Sequence, residues 1–372
     1  MDSEWKFAYL LPHTDFEEPI EHAPLALVPP GDARLRALAD SSAAVKSLTT
    51  RFTDQFGERI EPSAILIRSD APKTVDFYAV ACFRNAIAIA SIIDGVTFRI
   101  SGGTAGYPQW SDFFDFYPFT ASKDNNLSAQ SIASMEVNRP DRFRGHRAPY
   151  LPTSHRLSFG FDKVILAGCL RQWDRRFIRG RQEWKTRVPF RALEIACQAS
   201  RVPAVGTRTP TIHDMGVGIA LWVSAFEILS HPRTGNANLG TVLDLLAKVD
   251  WLDPKLKATR FQVVYPKKNI RRINWAQRFY YELYRARNDF LHGNPVAAGR
   301  LFPAKRSGGP TLLHCAPLIF RAALSGVLPS MRTKAAKGDL SAKMAEYLIA
   351  RSVQSRYEKA LLRCRPGKKK SR

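Results

Sequence analysis

The rhythm of apolar and polar positions changes several times along the chain. Up to residue 31, short apolar pieces alternate with Pro12, Pro19, Pro24, Pro29 and Pro30, which predicts an extended segment with a strand over residues 5–11. Residues 32–56 set Leu35, Leu38, Val45 and Leu48 at helical spacing, with Asp32 as N-cap and Gly57 as stop, and predict a single helix. A short strand is expected at 64–68. Residues 74–95 are apolar nearly all round, the pattern of a buried helix. Strands are expected at 96–100 and 112–118, on either side of SGGTAGYPQW. That glycine-rich loop lacks both the Lys-Ser/Thr ending and the following helix of a phosphate loop, so it reads as a turn. Residues 119–158 are rich in Ser, Asn, Pro and Arg with little periodicity, and read as a linker.

From Phe159 onward the pattern is helical. Val164, Ile165, Leu170, Trp173 and Phe177 face a core, while Arg171, Arg175, Arg176, Arg179 and Arg181 make a basic face with Lys185 and Arg187 following. Further helices are expected at 190–200, 218–232, 239–252, 274–291, 315–328 and 337–362. The fold class that follows is α+β and predominantly α. A mixed α/β N-terminal domain spans 1–157, a helical domain 158–364, and a basic tail 365–372.

Composition adds one strong fact. Lys and Arg number 56 against 33 Asp and Glu, a net charge of +23, so the field of the molecule attracts polyanions, with RNA or DNA first. The five cysteines form no C-x-x-C pair, which indicates neither a disulfide framework nor a zinc site and fits a reducing cytosol. The N-terminus has no basic stretch followed by an apolar run, as a signal peptide would. Arg84, Glu227 and Arg321 interrupt the most apolar segments, so a soluble protein without membrane spans is expected.

The chemistry concentrates in IRRINWAQRFYYELYRARNDFLHGNP, residues 270–295. Trp275, Phe279 and Leu283 recur at helical spacing, Gly293 supplies a C-terminal stop, and Pro295 cannot continue the helix. The last turn carries Arg287, Asn288 and His292. Arg287 offers a permanent cation with a planar fork suited to phosphate oxygens, and His292 brings an imidazole, the side-chain type that can move a proton in neutral solution. The same loose spacing recurs at Arg208/His213 and Arg139/His146, but Pro210 and Pro140 interrupt those intervals. Arg285 also stands within the same loose spacing of His292. Glu227, the only carboxylate in the apolar run of residues 218–232, needs a partner, for which Arg285 or Arg287 is the candidate.

Arg287-Asn288-Asp289-Phe290-Leu291-His292 matches the R-(polar)-x3-H form of the signature of HEPN-domain ribonucleases. With the upstream helix GIALWVSAFEILSHP, the Gly/Asn-rich loop after it and a further apolar helix, the C-terminal half resembles the Apea-like branch of that superfamily. The resemblance implies an antiparallel helical bundle and a metal-independent endoribonuclease that uses the RNA 2′-OH, with no cofactor. It further implies an anti-phage defence or toxin effector, with an N-terminal half that senses or restrains and a trigger of phage origin. In branches held by a nucleotidyltransferase antitoxin, a Tyr stands two residues after the His; here that position is Asn294, which favours a standalone effector. On an ideal helix Arg287 and His292 point about 140° apart. HEPN domains commonly dimerise with two motifs facing one cleft, so the resemblance implies a homodimer through the motif helices. The competing reading is a catalytically inactive HEPN protein that binds nucleic acid.

Overall fold

The computed structural model describes residues 4–14, 16–53, 57–103, 108–115, 119–121, 127–129, 160–204, 209–264, 270–303, 309–328 and 340–364. The fold is mixed α/β and predominantly helical, with small antiparallel sheets. Its first layer is a sheet of β1 (Trp5–Leu11), β2 (Ile20–His22), β3 (Leu25–Val28) and, after two helices, β4 (Ser63–Arg68), in the order β1-β4-β3-β2. Each adjacent pair is antiparallel, with a bulge in β1 between Phe7 and Tyr9. The single helix expected over 32–56 is two, α1 (Ala33–Ser41) and α2 (Ala43–Thr49). Ser42 breaks it by taking extended backbone and capping α2 through Val45 N. A serine that hydrogen-bonds the next turn favours a cap over a helix interior.

Helix α3 (Phe77–Ile100) includes the 96–100 stretch expected as a strand. Val96 and Thr97 are buried there, and Thr97 Oγ1 donates its hydrogen bond back to Ile93 O at 2.7 Å, so burial overrides β-branched propensity. Of the strand expected at 112–118, residues 112–114 belong to a 3-10 turn, Ser111–Phe114, whose Phe113 and Phe114 are buried, and residues 116–118 lie outside the described residues. The short hairpin of β5 (Phe119–Ala121) and β6 (Leu127–Ala129) falls within the stretch that reads as a linker. The remaining helices are α4 (Lys163–Trp173), α5 (Trp184–Ala199), α6 (Ile212–Ser230), α7 (Leu239–Ala247), α8 (Pro254–Ala258), α9 (Trp275–Leu291), α10 (Leu312–Val327) and α11 (Leu340–Arg363). A hairpin of β7 (Phe261–Val264) and β8 (Ile270–Ile273) precedes α9, with no counterpart among the expected elements.

One contiguous apolar core runs from Phe7 to Cys364 and so crosses residue 157. Helix α3, placed with the N-terminal part by sequence, packs against α4, α5, α10 and α11. The sheet joins the same core: the His22 ring stacks on Phe83, and its Nε2 meets Asp174 Oδ1 at 2.9 Å. Length and hydropathy would admit both α3 and α6 to a bilayer, yet 89% of the apolar window of α3 is buried inside the protein. Arg321, 1% exposed, is held by Asp162, Gln354 and the face of the Tyr357 ring, which is how α10 carries a charge inside. The basic tail from residue 365 lies outside the described residues.

Candidate functional site

Helix α9 starts with a reciprocal cap. Asn274 Oδ1 accepts from Gln277 N at 2.9 Å, and Gln277 Oε1 accepts from Asn274 N at 2.7 Å. Both side-chain amides also donate to α7 carbonyls, of Leu246 and Leu243, which fixes where the helix begins. Phe279, Tyr280, Leu283 and Ala286 then bury one face against α6, α7 and α10. α6 runs antiparallel to α9: Phe226 lies 5.0 Å from Tyr280, whereas Gly216 lies against Phe290 near the other end. A Cβ on Gly216 would come within 2.7 Å of the Phe290 ring, so glycine permits this close approach.

The C-terminal turn closes as the sequence indicated. Gly293 takes φ +68°, Gly293 N donates to Phe290 O at 3.4 Å and Asn294 N to Asp289 O at 2.9 Å. Arg287 is half-buried, its guanidinium 5.7 Å over the Tyr284 ring and its Nη1 donating to Asn288 Oδ1 at 3.2 Å. The Asn288 carbonyl accepts from His292 N at 3.0 Å, so one asparagine contacts the Arg with its side chain and the His with its main chain. Burial raises the Glu227 carboxyl above its ordinary value, and the Arg287 charge opposes that rise. Glu227 thus senses Arg287 across the α6–α9 contact without forming an ion pair with it.

Arg285 is exposed over the Tyr281 ring at 5.8 Å. His292 is exposed and its imidazole makes no hydrogen bond among the described residues. The structure therefore brings together Arg287, Asn288 and Glu227, and sets His292 at the solvent edge of the same turn.

Two features of this region escaped sequence reasoning. Asp289, inside the motif, accepts from Arg300 Nε at 3.1 Å, and Arg300 Nη1 reaches Glu282 at 3.0 Å. Glu282 also pairs with Arg278, so a chain of alternating charges along the outer face of α9 holds down the loop after the motif. Nothing in linear spacing marks Arg300, because it lies beyond the helix in a separate turn. The second feature is His213, whose spacing from Arg208 is interrupted by a proline. The antiparallel packing of α6 brings its ring edge-on to Phe290 at 6.4 Å, beside the motif.

The basic face expected on residues 171–181 is split. The chain leaves α4 through a π-turn, Asp174–Ile178, that lets both Trp173 and Phe177 be buried. Arg176 turns back over the Tyr78 and Phe177 rings at 5.5 and 5.0 Å, and Arg171 is half-buried. Burial, together with the neighbouring Arg175 charge, holds the Arg171 guanidinium below its ordinary value. Arg175, Arg179, Arg181, Lys185 and Arg187 are exposed. Neither tryptophan nearby is a free stacking ring: Trp173 is fully buried, and Trp184 carries the Arg191 guanidinium over its ring and the His231 ring against it.

Among the described residues no three His, Cys, Asp or Glu side chains gather as a metal site would require. No family model, curated protein or solved structure matches the chain.

Proposed function

We propose that the protein is a soluble, cytoplasmic, metal-independent endoribonuclease of HEPN type, acting as a defence or toxin effector. The observation behind this is the last turn of α9, where Asn288 joins a half-buried Arg287 to the turn that exposes His292. RNA brings its own nucleophile, so such a site needs only proton transfer and charge stabilisation. The 2′-oxygen attacks phosphorus, the bond to the 5′-oxygen breaks, and a 2′,3′-cyclic phosphate and a 5′-hydroxyl result. Arg287 offsets charge on the non-bridging oxygens, with Asn288 fixing its direction and Glu227 acting on it through charge alone. His292 transfers the proton at the 2′- or the 5′-oxygen. Arg175, Arg179 and Arg181 hold the flanking backbone.

A homodimer that sets two α9 ends around one cleft supplies both proton transfers and overcomes the divergence of Arg287 and His292 on one helix. The test is cleavage of total RNA with a chelator present, together with solution mass. Cleavage by a dimer, lowered in His292→Ala by a factor of at least ~100, is expected. Undiminished cutting by His292→Ala would overturn the assignment, and cutting by a strict monomer would overturn the dimeric arrangement. One observation favours a second reading, an inactive HEPN protein that binds nucleic acid: among the described residues no hydrogen bond orients the His292 imidazole. That reading predicts RNA binding without cleavage.

A further inference from the structure

A cleft of about 110 Å³ lies between α3, α5 and the 3-10 turn, remote in sequence from the motif. Its lining includes Arg84, Asn85, Asp115, Glu194 and Arg201. Arg84 spans the floor: Nη1 donates to Phe114 O at 3.0 Å and the guanidinium lies 5.4 Å over the Tyr9 ring. Among the described residues no carboxylate lies within ion-pair distance of it, and its Nε is buried without a hydrogen-bond partner. Asn85 is 5% exposed, and its Oδ1 likewise has no partner. Buried polar groups are nearly always satisfied, so two unsatisfied side-chain atoms on adjacent residues of one wall need an account.

The other charges define what fits. Arg201 is neutralised by Asp115 at 2.7 Å, while Glu194 at the exposed side makes no ion pair among the described residues. A simple anion would meet Arg84 but also Glu194 and Asp115. A simple cation would meet Glu194 but also Arg84. A molecule bearing both charges satisfies each end, with its donor hydrogens available to the Asn85 amide oxygen. The volume is somewhat below the about 150 Å³ that holds the six carbons of benzene, which limits the enclosed occupant to about six non-hydrogen atoms or fewer.

We propose that this cleft binds a small zwitterion of the α-amino-acid class, its carboxylate on Arg84 and its ammonium toward Asn85 and Glu194. Such binding is independent of whether the chain cuts RNA. Calorimetric titration of the full chain with glycine and L-alanine tests it, with acetate, methylamine and inorganic phosphate as single-charge probes. Binding of at least one amino acid at ~1 mM or tighter is expected, with every single-charge probe at least ~10-fold weaker. Arg84→Lys keeps the charge but loses the planar fork, and should weaken binding at least ~10-fold. Ala81→Leu fills the cleft from its half-exposed edge and should abolish binding without removing a charge. It decides the matter if Arg84→Lys fails to fold. No amino acid bound at ~10 mM, acetate or phosphate bound as tightly, or unchanged binding in folded Ala81→Leu would each overturn the proposal.

Discussion

The chain contains the dipeptide Arg-Asn twice in long helices, and the two copies have opposite fates. Arg84-Asn85 sits in the middle of α3, where the sheet, the 3-10 turn and α5 close over it. There one guanidinium nitrogen donates to a carbonyl, the group lies over an aromatic ring, and the asparagine is buried. Arg287-Asn288 sits in the last turn of α9, where packing ends and the chain reverses at Gly293. There the asparagine binds its own neighbour and the next residues reach solvent. The residues are the same, and position along a helix relative to the core decides whether they are enclosed by other elements or stand where the packing ends.

Removing each arginine in turn tests that division of labour. The largest expected effect is on activity: Arg287→Ala should lower RNA cleavage by ~100-fold or more while the thermal midpoint moves little, measured by fluorescent-substrate cleavage and calorimetry. Arg84→Ala should do the reverse. It strips the Phe114 carbonyl of its donor and removes the contact with Tyr9, and should cost about 1–3 kcal/mol in urea unfolding. A catalytic loss in folded Arg84→Ala equal to that in Arg287→Ala would erase the distinction.

Intermediate effects belong to the exposed arginines. Replacing Arg175, Arg179 and Arg181 by Ala should reduce the salt slope of single-stranded RNA binding by roughly 0.7 for each phosphate that is no longer neutralised. Arg176→Ala, by contrast, should leave the slope alone and lower stability, because Arg176 lies on Tyr78 and Phe177. Fluorescence anisotropy over a salt series separates the two.

The smallest effect concerns Glu227. In the folded chain its carboxyl is raised above the ordinary value of 4.5, mainly by burial, so the folded chain holds a proton that the unfolded chain has released. Stability contributed by this group is present at low pH and falls as pH rises above about 4.5 through the raised value. Glu227→Gln should therefore be slightly more stable than wild type at neutral pH, with the difference vanishing below the ordinary carboxyl range. Denaturation at pH 7 and pH 4 checks this. A loss of stability at pH 7 would mean that attraction to Arg287 outweighs burial.

Linear sequence was enough to define the local structure that repeats within a few residues. The strand over Trp5–Leu11, the buried α3 and the whole of α9 with its Gly293 stop were legible, because periodicity and capping act between near neighbours. Packing in three dimensions was needed to decide that 96–100 extends a helix, that Arg176 serves the core, that Arg300 ties down the motif loop and that His213 lies beside Phe290. It also decided that α3 belongs to the core of the C-terminal helices. Each of these depends on contacts between residues far apart in the chain, and no short-range pattern carries the free energy of such contacts.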